Sequence, residues 1–170
     1  MTESGQRTFS FCLQPATRPP GVVEPAPDCE LDFDSLVIEA CGVLAATDCA
    51  FTVRGFGDDW PADVAYDLST LVEQLPSLLN ALRAHRDSEL DFYGQGIERT
   101  LHFRLSGEGE GEDARIACTS RTSWTPRPEV EFIARDRLEE MILDLLSAFS
   151  SSLRTAASPL ADAPPFPSWR

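Results

Sequence analysis

Apolar residues recur at helical spacing in two long stretches of this chain. Leu138, Met141, Ile142, Leu145, Phe149 and Leu153 follow an i, i+3, i+4 period, which predicts a helix with one buried stripe. Asp136 and Glu139 stand where a capping box would start it. Leu71, Val72, Leu75, Leu78, Leu79 and Leu82 make a second stripe, predicting a helix over 70–86. Thr70 and Glu73 fit its capping box, and Arg83 to Arg86 bring positive charge to its C-terminal end. Pro76 interrupts this helix and predicts either a kink or a later start.

Elsewhere the pattern suits strands. Segments 36–44 and 49–56 read as two strands joined through Ala46 to Asp48, the second alternating Phe51 and Val53 with Thr52 and Arg54. Gly57 to Pro61 is a turn, and 62–66 reads as a further short strand. Segment 88–93 puts Leu90 and Phe92 on one face, and Ile97, Leu101, Phe103 and Leu105 mark the strand that returns after Gly94-Gln95-Gly96. Gly107 to Asp113 reads as an exposed acidic loop, followed by a strand over 114–121. Short connections predict antiparallel pairing. A strand over 7–14 precedes a proline-rich stretch that runs to Pro27.

The order strands, helix, meander, helix predicts an α+β fold: one antiparallel sheet with two helices packed on one face, a two-layer sandwich. Three parts are expected: an N-terminal strand and Pro-rich linker over 1–30, the α+β domain over 31–157, and a Pro-rich C-terminal tail over 158–170. A chain of 170 residues is long enough to bury a core without metal or disulfides.

Charge then narrows the function. All 14 basic residues are arginine, set against 28 Asp and Glu, for a net charge of −14. The absence of lysine excludes a P-loop lysine and any Schiff-base mechanism. The acidic balance disfavours nucleic acid and anionic membrane and favours a basic partner. No stretch is long and apolar enough to cross a membrane, and Met1 to Phe11 lack the pattern of a secretory leader. Arginine used to the exclusion of lysine fits a GC-rich bacterial coding sequence.

The cysteines, Cys12, Cys29, Cys41, Cys49 and Cys118, are odd in number and irregular in spacing, so five free thiols and a cytoplasmic location are expected. With only His85 and His102 to join them, no zinc-ligand grouping is present. Asp58, Asp59, Asp63 and Asp67 lack the order of a calcium loop. Tyr93 to Gly96 is too short for a phosphate loop, and no G-x-S-x-G occurs. No cofactor is expected.

Two surfaces remain. One is the turn Asp58-Asp59-Trp60, where an aromatic ringed by carboxylates could dock a basic partner, extended by Tyr93, Glu98 and Trp124. The other is the polar face of the meander: Glu89, Asp91, Tyr93, Glu98, Thr100, His102 and Arg104, joined by Arg115, Thr119 and Arg121. It reads either as a solvated face with cross-strand ion pairs or as a ligand site around His102.

The segments Trp60 to Leu68, Asp91 to Arg99 and Ser120 to Pro126 resemble those of uncharacterised small acidic proteins from actinobacteria. Such proteins are similar in size, acidity and α+β make-up to the immunity proteins that neutralise polymorphic toxins. The resemblance carries no catalytic motif, and what it implies is class alone. The expectation is a non-enzymatic protein-binding domain, an immunity protein or antitoxin that occludes a basic toxin. The alternatives are a small-ligand-binding or enzymatic domain using the face around His102, or a subunit of a larger assembly.

Overall fold

The computed structural model describes residues 8–22, 25, 29–94, 96–105 and 112–169. The fold is α+β. In place of one sheet and two helices, the described residues form two antiparallel sheets and three helices. The first sheet has the order β1 (Ser10–Gln14), β2 (Ala50–Gly55), β3 (Asp58–Trp60). The second is the meander β4 (Ser88–Phe92), β5 (Arg99–Leu105), β6 (Asp113–Ser120), β7 (Val130–Ala134). The helices are α1 (Phe33–Ala45), α2 (Asp67–Arg83) and α3 (Arg135–Thr155).

The expected strand over 36–44 is α1. Leu36, Val37, Ala40, Cys41 and Leu44 are buried, a one-sided helical stripe. The Asp32 carboxylate caps the helix by accepting the Ser35 N–H at 2.8 Å. Val37, Ile38 and Val43 favour strands when read locally, and packing of the stripe overrides them. The turn expected at 57–61 is instead a tight hairpin. Gly55 pairs with Asp58, and Phe56 and Gly57 between them both take positive φ, 55° and 84°. Gly57 is obligatory, because a Cβ there would lie 2.5 Å from the Arg127 carbonyl oxygen.

No strand forms over 62–66; these residues turn into α2. Helix α2 begins at Asp67 and runs through Pro76. Thr70 therefore lies inside the helix, and its hydroxyl donates back to the Tyr66 carbonyl at 3.0 Å instead of capping. Helix α3 begins at Arg135, with no side-chain cap at Ala134. The expected loop from Gly107 to Asp113 lies mostly outside the described residues, and Asp113 opens β6.

Strand β7 had no clear signature, because its alternation is inverted. Glu131 and Ile133 point inward, while Phe132 is 56% exposed. The meander otherwise follows the expected register, with Leu90 opposite Leu101 and Leu101 opposite Cys118, all buried.

One core joins everything. Phe9, just before β1, is buried with its ring centroid 6.3 Å from those of Trp60 and Phe103, bridging the two sheets. Gly55 leaves room for it: a Cβ there would meet the Phe9 ring at 2.8 Å. The three helices contact one another, α2 lies along β4, and α3 lies along β1. Side chains of these helices bind backbone in or just after the edge strands. The Gln74 amide donates to the Asp91 carbonyl at 2.9 Å and accepts the Asp91 N–H at 2.8 Å. Met141 Sδ accepts the Phe11 N–H at 3.2 Å, and Ser152 Oγ accepts the Ala16 N–H at 3.0 Å.

The C-terminal segment folds back in two short 3-10 turns, Pro159–Asp162 and Phe166–Ser168. Phe166 is buried against Phe149, and its carbonyl accepts the Ser150 hydroxyl at 2.8 Å. Phe9, Phe11, Leu13 and Phe166 thus share the core of the central segment.

Candidate functional site

The hairpin from β2 to β3 delivers Asp58, Asp59 and Trp60 to one end of the fold. Their environments differ from one another. Trp60 is only 5% exposed; it contacts Phe9, Phe92 and Trp124, and its indole N–H donates to the Gly55 carbonyl at 3.2 Å. It is a core residue at the end of a strand, so the expected exposed anchor is absent in this conformation. Asp59 already pairs with Arg54 at 2.6 Å. Asp58 accepts the Trp124 indole N–H at 2.6 Å.

Trp60 and Trp124 form a corner around Arg99, which the sequence reading did not single out. The Arg99 guanidinium carbon lies 3.5 Å from the Trp124 ring centroid and 4.6 Å from that of Trp60. Arg99 is 7% exposed, and its Nε and Nη1 have no hydrogen-bond partner. Burial lowers its pKa from the ordinary arginine value, and the charge of Asp58 opposes that shift. Asp58, Trp60 and Trp124 are therefore brought together, but around an internal cation.

Glu98 directly precedes Arg99 in the chain, whereas Tyr93 does not join this corner. Glu98 is half-buried at φ 50°, and its carbonyl accepts the Arg121 N–H at 2.9 Å. Tyr93 is 55% exposed, and its hydroxyl donates to Glu73 at 2.7 Å. It belongs to a surface that sequence reasoning missed. Asp67, at the start of α2, sits close to Gly94, where a Cβ would lie 3.2 Å from its Oδ1. Tyr66 precedes Asp67 in the chain, and Tyr93 precedes Gly94. Tyr66 is 73% exposed. Asp63 holds the segment by accepting the Tyr66 N–H at 2.6 Å, and Asp67 accepts the Asp63 N–H at 2.9 Å.

Charge on this surface is one-sided. Burial pushes the Asp67 carboxyl above its usual range; the Asp63 N–H it accepts pulls it back, and the charge of Asp63 raises it again. Burial also raises Glu73; the Tyr93 hydroxyl pulls it back, and the charge of Asp34 raises it further. The Tyr93 hydroxyl is itself pushed up, first by its bond to Glu73. Among the described residues no arginine forms an ion pair with Asp34, Asp63, Asp67 or Glu73. The signal for this surface was the i, i+7 spacing of Tyr66 and Glu73, legible only once 62–66 is not a strand.

The polar face of the meander gathers the strand residues expected there, without Tyr93 and Glu98, which lie outside β4 and β5. Glu89 lies opposite His102, and Asp91 opposite Thr100. His102 Nδ1 is 2.9 Å from Glu89 Oε1, and its Nε2 is 3.1 Å from Thr119 Oγ1. Arg121 pairs with Asp91 at 3.0 Å, and Thr100 donates to the same carboxylate oxygen at 3.0 Å. A carboxylate, an imidazole and a hydroxyl in series can relay a proton. Three hollows walled by described residues lie elsewhere, beside α1 or between β1 and α3, and none includes His102.

All five cysteines are unpaired; Cys12 and Cys29 are exposed, and burial pushes the Cys118 thiol up to about 12. Among the described residues no group of three or more His, Cys, Asp or Glu could hold a metal ion. Nor is any described helix long and apolar enough to cross a membrane. The chain matches no protein-family model, no curated protein and no solved structure.

Proposed function

We propose that this protein is a non-enzymatic binding domain that neutralises a basic protein partner by occlusion, as an immunity protein or antitoxin does. The observation that supports it is the tyrosine-bearing acidic surface of Asp34, Asp63, Tyr66, Glu73 and Tyr93 on a chain of net charge −14. Like charges held together without arginine raise one another's energy, and a docked cation relieves that repulsion. Tyrosine gives contact area at low conformational cost. Asp58, Glu98 and Trp124 form a second, subsidiary contact region in this reading, and Trp60 supports it from below. Free exposed thiols suit a reducing cytoplasm.

The test is affinity capture from the native host, followed by binding kinetics on the protein recovered. A basic partner whose association slows as salt rises supports the reading. Recovery of no basic partner at low salt overturns it.

A second reading rests on the chain Glu89–His102–Thr119. It makes the outer sheet face a small-ligand or acid–base site. Turnover or binding of a small molecule that His102→Ala abolishes would favour it over partner occlusion.

A further inference from the structure

A hollow of about 610 Å³ opens between α1, the end of α3 and the segment 20–22. Its volume is in the range of small-molecule pockets, about 300–1,000 Å³. Pro20, Val22, Val43, Ala46 and Ala156 give it apolar walls. Among the described residues that line it, Glu39 is the one that is charged, and none is basic.

The helices make it more electronegative. Ala46 is the C-cap of α1, and Ala156 is the C-cap of α3. Two helix C-termini, each bearing about half a negative charge, thus border the same space. The last turn of α1 contains no basic residue to offset its end, whereas that of α3 contains Arg154, whose guanidinium donates to Ser150. Gly42 widens the hollow from the last turn of α1, where nothing lies within 4 Å of a Cβ placed on it. A glycine inside a helix is less favourable than alanine, and here its effect is to leave the space open.

We propose that this hollow binds a small organic cation, an ammonium group carrying an apolar body. The ammonium sits against Glu39 and the helix ends, and the apolar body lies on Val43, Ala46 and Ala156. The hollow is far larger than one lysine or arginine side chain, which favours a free ligand over a residue of a partner. The proposal is independent of the basic-partner reading, because no residue of the tyrosine surface lines the hollow.

The test uses the full chain and benzyltrimethylammonium chloride as probe, read by amide chemical shifts. Saturable shifts are expected at Val43, Ala46 and Ala156, with none from phenylacetate, a probe of similar size and opposite charge. Glu39→Gln should weaken binding roughly fivefold. Gly42→Leu should abolish it while thermal stability holds or rises, since the leucine fills open space and suits a helix. N-acetylarginine methylamide, a stand-in for a protein side chain, should bind more weakly than the ammonium probe. The proposal is overturned by an absence of saturable shifts, by equal binding of phenylacetate, or by wild-type affinity in Gly42→Leu. Tighter binding of the arginine mimic would overturn it in favour of a partner's side chain. Should Gly42→Leu fail to fold, unchanged affinity in Glu39→Gln overturns the proposal by itself.

Discussion

Glu131 on β7 accepts the backbone N–H of Phe56, the residue at the tip of the β2–β3 hairpin, across a sequence separation of 75 residues. One buried carboxylate thereby ties the first sheet to the edge of the second. Its Oε2 has no hydrogen-bond partner; burial raises its pKa above the usual carboxylate range, and the backbone N–H groups of Phe56 and Phe9 pull it back.

This arrangement separates two substitutions. Glu131→Gln keeps an acceptor for Phe56 and removes a buried charge, so stability at neutral pH is expected to hold or rise. Glu131→Ala leaves the Phe56 N–H unsatisfied and should cost about 1–3 kcal/mol. The sign of the pH effect follows from the raised pKa. The folded state holds this proton more tightly than the unfolded state. The wild type therefore loses stability as pH rises from the unfolded value towards the folded one, and Glu131→Gln should flatten that slope. Urea unfolding between about pH 4 and 7 measures it.

Arg99 offers a second test. Its charge rests on two indole rings, and its Nε and Nη1 have no hydrogen-bond partner. A cation–π contact contributes about 0.5–2 kcal/mol, whereas burying an ion costs several. Arg99→Met keeps most of the volume and is expected to be neutral or stabilising in thermal unfolding. A loss of more than about 3 kcal/mol would mean that the cation is needed to hold Trp60 and Trp124 in place.

The partner-binding reading predicts different kinetics for different side chains. Asp34→Asn and Glu73→Gln should mainly slow association, and the loss should shrink at high salt. Tyr66→Ala should mainly speed dissociation, because an exposed ring contributes desolvated contact once docked. Trp60→Ala should instead destabilise the fold by about 3–5 kcal/mol, as for a buried aromatic. Surface plasmon resonance paired with thermal melts separates these outcomes.

The C-terminal turns should matter to stability. Phe166 is fully buried against Phe149 and Trp169, so Phe166→Ala should cost about 3–5 kcal/mol. The same substitution at exposed Phe132 should change stability by about 0.5 kcal/mol or less.

The strongest periodicities were readable in the sequence. The stripe of α3 and the alternation of β4 and β5 are buried as their spacing predicts. Helix α1 was hidden because Val37, Ile38 and Val43 mimic a strand, and only its packing partners decide otherwise. Strand β7 was hidden because a carboxylate points inward and a phenylalanine outward, the reverse of the usual code. The site was less legible than the fold. Trp60 beside two aspartates reads as a surface anchor, yet a hairpin only two residues wide at its tip turns that ring inward. Arg99 gave no signal, since nothing in one sequence marks which arginine meets two indoles. Tyr66 became visible only once its backbone led into α2.

The Gln74 amide that occupies both backbone groups of Asp91 has one more consequence. A peptide seeking to add itself as a further strand beside β4 would first have to displace that amide, and beside β1 it would meet Met141 on the Phe11 N–H. Main-chain recognition, which tolerates almost any sequence, is therefore closed along these borders. A partner that docks there must be read through its side chains, so a few substitutions in it are enough to escape or restore recognition.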